Sequence, residues 1–308
     1  MKERQPKDIF RNITAFIFYG NYFYGLCAVA LTVEASLQQA FPLNGLIYHL
    51  LVFAATVLYY NYPYARKYKT AGSDPRKAWY MRHYHFLRWN QVFLTLVLTI
   101  ALCIFLYRYY SLLPGMALIN WLLVLVFPVV GALYYGLNVL SYRYNLRSIG
   151  WLKPFIIGFT WAGLVTVYPV LFYDIMHRLA YEPTLIGTLL TLKNFMFVSL
   201  LCIMFDIKDY ATDHTSNLKT FVVKIGLRKT IFYILLPLPL LGLLTFISYA
   251  VTHQFHVMKI LLNVIPFLLL LMAGVSLRKR RRLMYYLVII DGLMLVKAVC
   301  GITAMTFF

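Results

Sequence analysis

The chain has 308 residues, 62% of them hydrophobic and only 13% charged, and 29 Lys and Arg against 10 Asp and Glu give a net charge of +19. With a mean hydropathy of +0.72, this composition excludes both a disordered polar chain and an ordinary water-soluble domain, because the apolar runs exceed what one aqueous core buries. The basic excess comes with no recognisable nucleic-acid-binding module, so no nucleic acid is expected as a partner; anionic membrane lipids are.

The first eleven residues, MKERQPKDIFR, are polar, and the apolar run that follows lacks a small-residue cleavage pattern. No removed signal peptide is expected. A membrane-crossing helix needs about 20 mostly apolar residues. Nine runs fit that reading: 13–37, 43–62, 91–110, 116–137, 151–174, 184–205, 230–251, 255–277 and 283–307. They lack the period-2 alternation of barrel strands, and Pro128, Pro169 and Pro266 are tolerable as kinks inside helices. The expected fold is therefore an all-α integral membrane protein. It would be a single domain over residues 1–308, with nine transmembrane helices bundled around a lipid-accessible cavity.

Lys and Arg are retained on the cytoplasmic side of a membrane. With the N-terminus inside, nearly all loop cations fall inward, and only Arg108 and Arg178 fall outward. Nine crossings then leave the C-terminus outside, in a multi-pass protein of a bacterial cell membrane. The inward stretch 75–90, with Trp79, Tyr80, Phe86 and Leu87 among Arg and His, has the composition of an interfacial amphipathic helix. Cys27, Cys103, Cys202 and Cys300 lie inside apolar runs without CxxC spacing, which suggests neither disulfides nor zinc.

Carboxylates are scarce, yet Asp206, Asp209 and Asp213 fall within eight residues in CIMFDIKDYATDHTSNLKT. At 100° per residue all three share one helix face within about 60°. Three anions so placed repel one another unless cations occupy the face, and Mg²⁺ favours carboxylate oxygens together with substrate phosphates. The pattern reads as a metal and diphosphate anchor at the cytoplasmic end of the sixth run.

Here the chain resembles the UbiA superfamily of intramembrane prenyltransferases. The residues that carry the likeness are Asp206-Ile-Lys-Asp209-Tyr-Ala-Thr-Asp213, then Asn217-Leu-Lys219-Thr220-Phe-Val-Val-Lys224-Ile-Gly226, similar to the family's second aspartate motif. The resemblance implies a transferase in which Mg²⁺, held by Asp206, Asp209 and Asp213, helps an isoprenyl diphosphate ionise. The prenyl cation then alkylates a lipophilic, commonly aromatic, acceptor. The family's first motif is degenerate: Asn61 stands where its opening Asn belongs, but Tyr62, Ala65 and Lys69 replace the aspartates. Fewer metals are then expected, with Arg66, Lys67, Arg143 and Arg147 clamping the diphosphate directly.

Asn21, in a Tyr-rich stretch of the first run, is a candidate substrate contact, as are Asn61 and Lys219. Lys193, Asn194, Asp291 and Lys297 are further polar groups at membrane depth, where such residues face a cavity or a partner. Tyr134, Tyr142 and Tyr168 are candidates for stabilising an allylic cation through their ring faces. Two rival readings stay open. One is a non-catalytic isoprenoid-binding or scaffold protein, which the degenerate first motif favours. The other is a transporter working through Asp291, Lys193, Lys259 or Lys297.

Overall fold

The computed structural model describes residues 6–64, 75–135, 149–215 and 218–308, and every regular element among them is helical. The chain divides into two compact units, Met1–Val29 with Asn44–Pro114, and Ala30–Leu43 with Gly115–Phe308.

The first unit contains α1 (Pro6–Tyr19), the first turns of α2 (Tyr22–Gln38), α3 (Leu46–Asn61), α4 (Pro75–Arg82) and α5 (Tyr84–Tyr109). Helix α3 packs along α5, and α1 touches α4. Ala54, Val57 and Leu94 form a buried cluster there, covered by Tyr22, Phe53, Leu58 and Leu98. Phe93, Leu96 and Ile100 of α5 stay exposed, an arrangement that suits a helix facing lipid tails and would be unstable against water. Between α1 and α2 the chain bends by 63°. The bend sits at Asn21, whose φ of 62° lies in the left-handed region that Asn tolerates better than most side chains.

The second unit takes the end of α2 and adds α6 (Leu118–Tyr135). Four long helices follow, α7 (Lys153–Met176), α8 (Leu185–Thr215), and, after the short α9 (Phe221–Ile225), α10 (Leu227–Thr252) and α11 (Val257–Ser276). The last is α12 (Leu283–Phe307). The closest helix pairs are α7 with α8 and α11 with α12. Gly158 explains the first: a Cβ there would lie 2.1 Å from Ser199 Oγ and 2.8 Å from the Phe195 carbonyl oxygen, so any side chain would push α8 away.

Three of these helices carry a π-helical turn, Gly163–Val167 in α7, Ile231–Leu235 in α10 and Tyr286–Ile290 in α12. The first two share a cause. In each, the residue before a proline donates to the carbonyl five residues back, Tyr168 to Gly163 and Leu236 to Ile231. Pro169 and Pro237 have no N–H and would crowd the carbonyl four residues back, and widening the turn just before them relieves that crowding.

The expectation of nine transmembrane helices is not met. Among the described residues six helices are long and apolar enough to cross a membrane, or seven if the bent α1–α2 pair is one span. Run 13–37 is broken by the bend at Asn21. Run 43–62 contains α3, whose 16 residues reach only about 24 Å at 1.5 Å per residue, short of a hydrocarbon core of about 30 Å. Within run 116–137 the apolar helix is described over Leu118–Tyr134, and residues 136–148 lie outside the described ones. A count of apolar residues does not register a bend such as that at Asn21 or the end of α3 at Asn61. The expected interfacial helix is also smaller: α4 ends at Arg82, and Tyr84 already begins α5.

Candidate functional site

Asp206, Asp209 and Asp213 all lie on the last turns of α8, so the face predicted from their spacing exists as one helix face. Lys153 is the first residue of α7 and is followed by Pro154, which is favoured at a helix start because it needs no N–H partner. The close α7–α8 packing at Gly158 carries Lys153 Nζ to 3.0 Å from Asp206 Oδ1. Asp206 is buried, and its second oxygen, Oδ2, has no hydrogen-bond partner. A buried carboxylate oxygen left open is costly, and such an atom marks a place where a ligand can repay the cost.

The other two carboxylates are nearer the surface. Asp209 Oδ1 accepts from Lys208 Nζ at 2.6 Å, with both side chains partly exposed, a pair worth little in water. Asp213 is within electrostatic reach of Asp209, Lys153 and Lys208, and lies against Thr220.

The segment after α8 folds back against this end of the helix. The Leu218 N–H donates to the Asp213 carbonyl at 2.9 Å, and the Thr220 N–H to that of Leu218 at 2.9 Å. Thr220 is buried, whereas Lys219 is exposed. The Lys219 carbonyl packs so closely on Gly150 that a Cβ there would come within 2.9 Å. Lys224 lies 4.9 Å above the Trp151 ring. Gly226, between α9 and α10, has φ of +94°, a conformation open to glycine and strained for other residues. It caps α9 at its C-terminus and α10 at its N-terminus, turning the chain from one helix into the next.

Comparison with protein-family models, curated proteins and solved structures finds no significant match. The chemistry has to be read from the residues alone. Among the described residues no three His, Cys, Asp or Glu side chains gather in the geometry of a metal-binding group. The three aspartates share a face but are spread along it, and two of them already have a lysine partner.

The predicted substrate residues divide by unit. Asp206, Asp209, Asp213 and Lys219 belong to the second unit, and Asn21 and Asn61 to the first. Arg66, Lys67, Arg143 and Arg147 lie outside the described residues, as does Tyr142. In the first unit Asn21 Nδ2 donates to Asn61 Oδ1 at 2.8 Å, and lies 3.2 Å from both the Tyr80 hydroxyl and the Tyr60 carbonyl. Its Oδ1 accepts from Arg76 at 2.5 Å. Asn61 Nδ2 in turn donates to the Gly20 carbonyl at 3.1 Å. These two asparagines therefore spend their polar atoms on holding the α1–α2 bend. Tyr80 completes the knot by donating to the Tyr19 carbonyl. Burial pushes its phenol up to about 12, against the pull of Arg76, so it remains a neutral donor.

Sequence reasoning passed over Lys153, Arg76 and Glu34. Glu34 was the most findable, since an acid inside an apolar run demands a cation. Its partner is Lys297, at 2.6 Å with both side chains buried. Asn194 likewise has a protein partner, donating to Thr166 Oγ1 at 2.8 Å. Tyr168 donates to the Val124 carbonyl at 2.8 Å.

Proposed function

We propose that the chain is a multi-pass membrane prenyltransferase, which moves an isoprenyl group from its diphosphate to a lipophilic, aromatic acceptor. The observation that carries the reading is the buried Asp206, tied through one oxygen to Lys153 and open at the other, below two further carboxylates on the same face. The basic side chains around it, Lys153, Lys208, Lys219 and Lys224, belong to the end of the unit that the charge rule puts in the cytoplasm. Arg278 to Arg282, between α11 and α12, belong to the same end in an alternating series of spans. The C-terminus is then on the opposite side.

The residues suit a magnesium ion in their chemistry: all three donors are carboxylates, and Asp206 has a free buried oxygen. Asp206, Asp209 and Asp213 would hold it. When bound, the ion supplies positive charge to the departing diphosphate. Lys153 holds Asp206 in position through Oδ1 and leaves Oδ2 to the ion. Lys208 and Lys219, on the partly open side, meet the phosphate oxygens that the carboxylates do not. The surrounding apolar helices exclude the water that would quench an allylic cation.

The second reading, an isoprenoid-binding protein without turnover, is favoured by Tyr62, Ala65 and Lys69 at the degenerate first motif. Full-length protein in nanodiscs, incubated with labelled geranylgeranyl diphosphate and a quinone-precursor ring, separates the two. Magnesium-dependent diphosphate release, lost by at least 100-fold in Asp209→Asn, supports the enzyme. Saturable binding without release supports the second reading, and no binding rejects both.

A further inference from the structure

The second unit holds a cavity of about 380 Å³, within the roughly 300–1,000 Å³ typical of small-molecule sites. It lies along the half of α8 remote from Asp206, and its walls include Leu190, Met196, Phe246, Phe267 and Met305. Two lysines interrupt this apolar lining. Lys193 Nζ is 5.6 Å from the centre of the Phe246 ring and 5.9 Å from that of Phe267. Lys259 Nζ is 5.2 Å from the ring centre of Phe255.

Neither lysine has an ion-pair partner among the described residues. Glu34, the acid within electrostatic reach of Lys193, is already committed: its Oε2 binds Lys297 at 2.6 Å, and Oε1 accepts from Gln38 at 3.0 Å. The cavity, lined by residues near the ends of α2, α8, α10, α11 and α12, therefore has surplus positive charge, softened by ring faces that only partly replace an anion. An anion that fills so apolar a lining must bring an apolar body with it.

We propose that this cavity binds a long-chain carboxylate, with the acid group on Lys193 and the chain against Met196, Phe246 and Phe267. The polar part of the lining is small: Gln38, Asn263, Thr245 and the phenol of Tyr249 beside the two lysines. That suits a compact carboxylate, and the volume suits one chain better than the two of a diacyl phospholipid. The proposal is independent of prenyl transfer, since none of these residues belongs to the carboxylate face of α8.

Titration of the full chain in neutral-lipid nanodiscs with labelled palmitate, and in parallel with hexadecanol, tests it. Palmitate is expected to bind saturably and at least tenfold more tightly than the alcohol. Lys193→Met should lower palmitate affinity at least tenfold, and Lys193→Arg should retain it. Equal binding of acid and alcohol overturns the proposal without reliance on any variant. So does a folded Lys193→Met protein that binds palmitate normally, displacement of palmitate by equimolar phosphatidic acid, or the absence of saturable binding.

Discussion

Two lysine–carboxylate pairs in the second unit have a buried carboxylate, and they differ in what they leave over. In the Lys297–Glu34 pair both side chains are almost fully enclosed, and both oxygens of Glu34 are engaged, one by Lys297 and one by Gln38. In the Lys153–Asp206 pair the carboxylate is as deeply buried, but Lys153 is 33% exposed and Asp206 Oδ2 has no partner. The first pair is closed and joins α2 to α12. The second has an unused valence and an edge near solvent. A fully satisfied buried pair is a structural clasp, whereas a half-satisfied one invites a ligand.

The largest effect should come from opening the closed pair. Glu34→Ala leaves Lys297 as a buried unpaired charge and should cost about 3–5 kcal/mol, read as a fall in melting temperature in detergent. Glu34→Gln combined with Lys297→Met should recover most of it; no recovery would mean that the pair does more than neutralise itself.

Next is Lys153→Met, which leaves Asp206 buried without its cation. Its cost should be roughly 3 kcal/mol, the lower end for a broken buried pair because water lies nearby. Unchanged melting would place Asp206 in a wetter setting than the structure gives it.

The first unit supplies a contrast, a buried polar knot without a carboxylate. Tyr80→Phe removes a buried donor and should cost about 1–2 kcal/mol. The wild-type knot also has a pH signature. An ordinary tyrosine loses its proton near pH 10, whereas the folded phenol holds it to about 12. The folded form thus binds more protons between those values. Its contribution is complete below pH 10 and is lost as the pH rises towards 12. Alkaline melting curves of wild type and Tyr80→Phe should converge over that window.

Smallest in stability is Asp206→Asn, at under about 1 kcal/mol, since Lys153 can turn to solvent. Diphosphate turnover should nevertheless vanish. A large loss of stability instead would make Asp206 a second clasp.

The membrane-embedded class was readable from the 62% apolar content, and its all-helical form from long apolar runs without period-2 alternation. So was the shared face of Asp206, Asp209 and Asp213, since three residues on one helix need only the 100° rule. The number of spans was not, because the stop at Asn61 and the bend at Asn21 are set by turn geometry and hydrogen bonds rather than by hydropathy. Nor were the partners: Lys153 and Asp206 are 53 residues apart and Lys297 and Glu34 are 263 apart, separations at which only packing decides. Nor were the partners of Asn21, which in the structure are Asn61, Tyr80 and Arg76.

The wide turns in α7, α10 and α12 act as phase shifters. Each takes up one more residue than an α-turn would, so the positions after it are offset by about 100° from a regular wheel. In α10 the shift at Ile231–Leu235 sets which side Gly242 and Phe246 present to the lysine-bearing cavity. Removing a single residue from that turn would leave composition and length almost unchanged while rotating the far half of the helix by about 100°, carrying part of its cavity-facing surface away from the cavity.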